Sequence, residues 1–221
     1  MRPLALVYRG PASLPGCPEA VADLLKSSKH GFDVRFTGPD EKFKLGEAAL
    51  AGAALYAQPG GGTLGSAYRK LRRHRDDVRA FVEGGGRYLG FCLGGYLAGA
   101  TPGFGLLPGD TDRYIDTEDA TVDHDEDAVV KVRWRGRTRK LYFQDGPVFL
   151  LEKPDAADVL ATYPNGTVAA LVAPFGAGRV GVVGPHPEAT RDWYADGGLR
   201  PPLLRYGHDL GLDLVDSVMA R

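Results

Sequence analysis

The most restrictive stretch of the chain is Gly84-Gly85-Gly86-Arg87-Tyr88-Leu89-Gly90-Phe91-Cys92-Leu93-Gly94-Gly95-Tyr96. A short apolar run, Tyr88 to Phe91, arrives at a cysteine, and small residues follow at once. Gly-x-Cys-x-Gly is the cysteine form of the nucleophile elbow, a sharp strand-to-helix turn that holds its central residue in strained backbone geometry. Glycine two before and two after the cysteine is what such a turn needs, because strand and helix approach too closely there for side chains. The sulfur would lie at a helix N-terminus, beside free N–H groups that favour a reactive thiol. The competing reading is a buried structural cysteine in a glycine-rich core strand.

An elbow needs a parallel sheet around it, and the chain supplies one. Leu4 to Tyr8 and Ala53 to Ala57 read as short buried strands, and Phe32 to Phe36 as a third that alternates with charges. Between them Pro18-Glu19 opens a helix with Val21, Leu24 and Leu25 on one face, and Gly46 to Ala51 forms a short second helix. Leu64 to Glu83 is expected to be one helix, with Tyr68, Leu71, Val78, Phe81 and Val82 inward. It carries Arg69, Lys70, Arg72, Arg73, His74, Arg75 and Arg79, read as a solvated face or a docking surface. This strand–helix alternation predicts an α/β, flavodoxin-like, doubly wound sheet. After about Asp110 the texture turns to β-strands: Ala128 to Trp134, Thr138 to Phe143, Val148 to Leu151, Val159 to Tyr163, Val168 to Ala173 and Val180 to Val183. An antiparallel extension is therefore expected in the second half, with a C-terminal helix from about Pro202. No repeat or linker interrupts the chain, so residues 1–221 read as one domain.

Composition narrows the function. With 27 basic and 28 acidic residues, the net charge of −1 gives no global attraction to nucleic acid or an anionic membrane, so neither is an expected partner. No apolar stretch approaches a membrane span. Two cysteines, Cys17 and Cys92, are too few for a disulfide framework, which points to a reducing cytoplasm. Cys17 lacks a base at useful spacing and reads as structural. Asp123-His124-Asp125-Glu126-Asp127 matches no standard ligand set and reads as an exposed acidic turn, so no metal is expected. No cofactor fingerprint is present, and none is expected.

Two further segments bear on Cys92. Gln58-Pro59-Gly60-Gly61-Gly62-Thr63 follows the third strand, where open α/β sheets bind ligands, and reads as an oxyanion or anion loop or as a simple turn. Gly184-Pro185-His186-Pro187-Glu188 follows the last strand. In extended geometry His186 and Glu188 face the same way, and the flanking prolines stiffen the imidazole. Cys92, His186 and Glu188 then make a complete set of nucleophile, base and orienting carboxylate, with Gly60, Gly61 and Leu93 offering N–H groups as an oxyanion hole.

Together these segments resemble the class I glutamine amidotransferase-like superfamily, on Gly90-Phe91-Cys92-Leu93-Gly94, His186-Pro187-Glu188, the Gly60–Gly62 loop and the Gly103–Gly109 turn after the elbow helix. Within it, Tyr96, Gln144 to Pro147, Ala161 to Tyr163 and Val183 to Glu188 are similar to the biotin–protein ligase N-terminal-domain-like branch, including free-standing bacterial proteins. The resemblance implies a Cys-His-Glu amidase or amidotransferase-like hydrolase, with Tyr96 and Asp145 at the substrate rim. A small-molecule amide or acyl substrate is implied, and an acceptor or ligase protein is a candidate partner. It does not imply biotin ligation, because no ligase domain is expected in these residues. One departure matters. Glutaminase members usually carry Gln four residues after the cysteine, and here Tyr96 stands there, so glutamine is not the expected substrate. The alternative is a non-catalytic regulatory or ligand-binding module on the same fold.

Overall fold

Strand β1 (Leu4–Tyr8) is the first buried run, and α1 (Cys17–Ser27) follows it, with Pro18 in its first turn and the Glu19 carboxylate accepting from the Gly16 N–H at 3.1 Å. The computed structural model describes residues 2–153, 155–200 and 207–220. Next come β2 (Asp33–Thr37), α2 (Glu47–Leu50), β3 (Leu55–Gln58), α3 (Leu64–Leu71), α4 (Arg75–Glu83), β4 (Arg87–Phe91) and α5 (Leu93–Ala98). The second half adds β5 (Gly109–Arg113), β6 (Ala128–Trp134), β7 (Arg137–Phe143), β8 (Pro147–Leu151), β9 (Asp158–Thr162), β10 (Val168–Phe175) and β11 (Gly178–Val183). Helices α6 (Arg191–Asp196) and α7 (His208–Met219) close the chain.

The strands join one sheet in the order β2-β1-β3-β4-β11-β10-β9-β6-β7, with the β5–β8 ladder attached through β10. Strands β2, β1, β3, β4 and β11 are mutually parallel, and from β11 outward the pairing is antiparallel. The expected doubly wound sheet with an antiparallel extension is thus the architecture observed. Each face is covered by its own apolar layer. Val21, Leu24 and Leu25 of α1 pack with Leu214 and Val218 of α7 on one side. On the other, Leu71, Val78, Val82, Leu97 and Phe104 pack over the same strands. No helix among the described residues is long and apolar enough to cross a membrane.

Three details differ from the expectations above. Leu64 to Glu83 is not one helix: a 3-10 turn at Arg72–His74 separates α3 from α4. The break lets α3 lie on α5 while α4 covers β4 and β11, which a straight rod could not do together. Strand β5 is unexpected, because Gly-Asp-Thr-Asp-Arg has no apolar alternation; its order comes from pairing with β8. The C-terminal helix runs from His208, and its expected start at Pro202 lies outside the described residues.

Candidate active site

Cys92 ends β4 with φ 46° and ψ −104°, the strained conformation an elbow imposes. The two flanking glycines are there for the reason the motif predicts. A Cβ on Gly90 would run into the Gly94 carbonyl, and one on Gly94 into the Gln58 carbonyl of β3. Helix α5 therefore sits directly against the strand ends. Cys92 is buried, and its thiol lies 3.6 Å from the Gln144 carbonyl, to which it donates.

β11 is the parallel neighbour of β4 and delivers His186-Pro187-Glu188 beside the elbow. The His186 N–H donates to the Tyr142 carbonyl at 2.9 Å, stitching this segment to β7. His186 Nδ1 lies 2.8 Å from Glu188 Oε1, and the Glu188 side chain is wholly excluded from solvent. Nε2 is left for the cysteine side, and Cys92 is within hydrogen-bonding reach of the ring. Burial alone would lower the imidazole's affinity for its proton. The negative charges of Glu188 and Cys92 outweigh that and push His186 up from 6.5 to about 10. Among the described residues Glu188 Oε2 has no hydrogen-bond partner, so this carboxylate's interactions are concentrated on the imidazole.

The glycine loop closes the third side. Gly61 and Gly62 have φ of 93° and 87°, which other residues rarely adopt. A Cβ on Gly60 would stand 2.6 Å from His186 Cε1 and 3.4 Å from Cys92 Cβ, so only glycine lets this backbone approach both. Gln58, fully buried, fixes the loop: Tyr56 Oη donates to its Oε1 at 2.8 Å, and its Nε2 donates to the Ala12 carbonyl at 3.0 Å. That second bond brings in the segment after β1, whose Leu14 packs onto Gly61.

These groups open into a cavity of about 760 Å³. The expected rim residues are both there: Tyr96 Oη donates to the Asp145 carbonyl at 3.2 Å, and Asp145 itself has φ 47°. Burial, then the charges of Cys92 and Asp145, push the Tyr96 phenol up, so it acts as a neutral donor. Three wall residues escaped the sequence reading. Arg113 donates to both Asp145 carboxylate oxygens, Nε to Oδ1 at 2.9 Å and Nη2 to Oδ2 at 3.0 Å. Tyr142 and Trp193 set their rings 5.8 Å and 5.3 Å from the His186 ring. Arg113 left no signal, because the strand that carries it was itself invisible. Tyr142 could have been found from its place on an alternating strand.

Cys17 also lines the cavity, which the structural reading did not anticipate. Burial, followed by the charges of Glu188 and Cys92, pushes its thiol well up, in keeping with an inert role. The acidic turn is exposed as expected, with Asp125 alone reaching the cavity rim.

The family model described as "Biotin-protein ligase, N terminal" matches residues 4–110. Among solved structures, a glutamine amidotransferase from Thermotoga maritima is 16% identical with a TM-score of 0.61, covering 99% of this chain and 97% of that one. A glutamine amidotransferase from Methylobacillus flagellatus is 15% identical with a TM-score of 0.56, over 98% and 90%. The exo-β-1,4-mannosidase Op5Man5 from Opitutaceae bacterium strain TAV5 is 14% identical with a TM-score of 0.59; the match covers all of this chain but 36% of the enzyme. At such identities these likenesses concern the fold. No curated protein matches the sequence. The resemblance read from the elbow and the His-Pro-Glu segment holds in both respects, the amidotransferase-like fold and the ligase N-terminal branch.

Proposed function

We propose, for a chain whose residues 4–110 match the biotin–protein ligase N-terminal family within a glutamine amidotransferase fold, a cysteine-dependent hydrolysis or transfer of a carboxamide or related acyl group. The observation that carries this is the buried His186–Glu188 pair set against Cys92 on its strained turn. His186 takes the thiol proton through Nε2 while Glu188 holds Nδ1–H, and the sulfur attacks the carbonyl carbon. The same imidazole returns the proton to the departing amine, leaving a thioester that water hydrolyses. Backbone N–H groups of Leu93 and of Gly60 or Gly61 receive the oxyanion, each donor worth about 3 kcal/mol in the transition state.

The walls bear on the substrate. Tyr96 occupies the place where a glutaminase would carry Gln, and its hydroxyl is already spent on the Asp145 carbonyl. Arg113 and Asp145 neutralise each other at one end, while Tyr142, Trp193 and Leu14 make the other end apolar. This favours an amide with an apolar or ring-bearing portion over free glutamine. An acceptor or ligase protein as partner belongs to the same proposal.

The direct test is mass spectrometry of Cys92 after incubation with glutamine, asparagine and small acyl amides. A thioester on Cys92, lost in Cys92→Ala, is the expected result; hydrolysis that persists in Cys92→Ala would sink the scheme. A ligand-holding module without turnover is the second reading, favoured by the thiol's donation to the Gln144 carbonyl. Alkylation by iodoacetamide at about pH 6 separates the two. Cys92 should label well ahead of Cys17 if it is a nucleophile, and no faster if it is not.

A further inference from the structure

The basic run Arg69 to Arg79 plays no part in the site around Cys92, and the structure divides it in two. Arg75 Nε donates to the Gly103 carbonyl at 3.2 Å, and Arg79 donates to the carbonyls of Phe104 and Gly105, so these two tie α4 to the loop behind the elbow helix. Arg69, Lys70 and Arg73, with His74, instead line a separate cleft of about 590 Å³. Its opposite wall is Tyr8 at the carboxyl end of β1 and the segment after β2, with Pro39 and Lys44. It shares no lining residue with the Cys92 cavity.

The cations of this cleft are oriented but not neutralised. Lys44 Nζ donates to the Pro39 carbonyl at 2.7 Å and Lys70 Nζ to the Pro11 carbonyl at 2.6 Å. Arg73 Nε donates to His74 Nε2 at 3.0 Å. Each partner is a neutral acceptor that fixes the group's position and leaves its charge in place. Nearby carboxylates are engaged elsewhere: Glu41 holds Arg9 at 2.7 Å, and Asp77 faces His74 at 3.6 Å. Exposed Asp40 is the acid felt at the Tyr8 hydroxyl, together with Arg73. Burial and the Arg73 charge both lower His74, as a locally positive field requires.

Position strengthens the case. Strand order reverses at β1, which lies between β2 and β3, and the carboxyl ends at such a switch are where open α/β sheets take ligands. We propose that this cleft binds a phosphorylated small molecule, its phosphate held by Lys44, Lys70 and Arg73 with Arg69 at the mouth. A cleft of this volume suits a small ligand, whereas a nucleic acid calls for an extended basic track.

The test is isothermal titration of the whole protein with pyrophosphate as probe. Saturable binding is expected, weakened by added sodium chloride and about tenfold by Lys70→Gln or Arg73→Gln, as for loss of one charge-assisted hydrogen bond. Both side chains are exposed, so circular dichroism should show the variants folded. Cys92→Ala should bind pyrophosphate as the unaltered protein does. Absence of saturable binding, or undiminished binding by folded Lys70→Gln and Arg73→Gln proteins, overturns the proposal. So does an RNA oligonucleotide that binds more tightly than pyrophosphate and depends on the same residues, which would make the cleft part of a polyanion surface.

Discussion

Gly60 shows how much of this site rests on a missing side chain. Its φ lies outside the left-handed region, so alanine meets no backbone penalty there, yet the added Cβ would press on His186 Cε1. Gly60→Ala should therefore lower kcat/KM by about a hundredfold or more, as misplacement of a catalytic group does, with little change in the urea midpoint. His186 gives a second residue-scale prediction. Its proton affinity is raised in the fold, to about 10, so the pair with Glu188 contributes stability that is fully present below the ordinary value of 6.5 and lost as pH rises through about 10. Urea unfolding across that range should show the loss, and Glu188→Gln should remove most of the dependence. Turnover should fall over the same alkaline limb, because the departing amine needs the imidazole proton. An unchanged alkaline limb in Glu188→Gln would argue that another group sets it. Cys92, His186 and Glu188 were legible in the sequence because each sits in a short motif of fixed geometry. Arg113 and Trp193 were not, since their chemistry comes from what the fold sets beside them.

At the scale of elements, the elbow helix is held from two sides. The collision between a Cβ on Gly94 and the Gln58 carbonyl involves backbone on both elements, so neither can yield cheaply. Gly94→Ala should cost about 1–3 kcal/mol or more in urea unfolding, the range for overpacking a close contact. Behind the helix, Asp110 Oδ1 accepts from the N–H groups of Ala100 and Thr111 at 2.9 Å each and of Thr101 at 3.4 Å. Burial opposes the charged form, but these hydrogen bonds prevail and hold Asp110 below its ordinary 3.8. Its contribution is therefore present above that value and lost as pH falls through the lower one. Asp110→Ala should destabilise by roughly 1–3 kcal/mol near neutral pH, with the difference shrinking in acid. Strand and helix periods revealed most elements. The break at Arg72–His74 left no breaker residue to read, because packing of α3 and α4 on different neighbours produces it.

Across the whole molecule, β11 joins the parallel half, which carries Cys92, to the antiparallel half, which carries Tyr142, Gln144 and Asp145. Helix α7 braces that union: Trp134 Nε1 donates to Asp213 Oδ2 at 2.7 Å, and Arg139 forks onto Asp209 with both bonds at 2.8 Å. Trp134→Phe should lower stability by roughly 1–3 kcal/mol by leaving the partly buried carboxylate short of a donor, measured by thermal or urea unfolding. The glycosidase that carries the same fold over about a third of its length is a reminder that the architecture alone names no reaction. By itself the sequence determined the parallel core, the elbow and the three catalytic candidates. Hydrophobic period, glycine at a close approach and proline-fixed backbone are all local in the chain. Only the tertiary structure decided what surrounds them: the Arg113–Asp145 pair, the aromatic wall, Cys17 beside the cavity, and the division of one basic helix into clamps and an open cleft. Those depend on contacts between residues far apart in sequence, which no local pattern encodes. The strained turn at Cys92 could be expected from five residues, but the field that holds a proton on His186 required the fold.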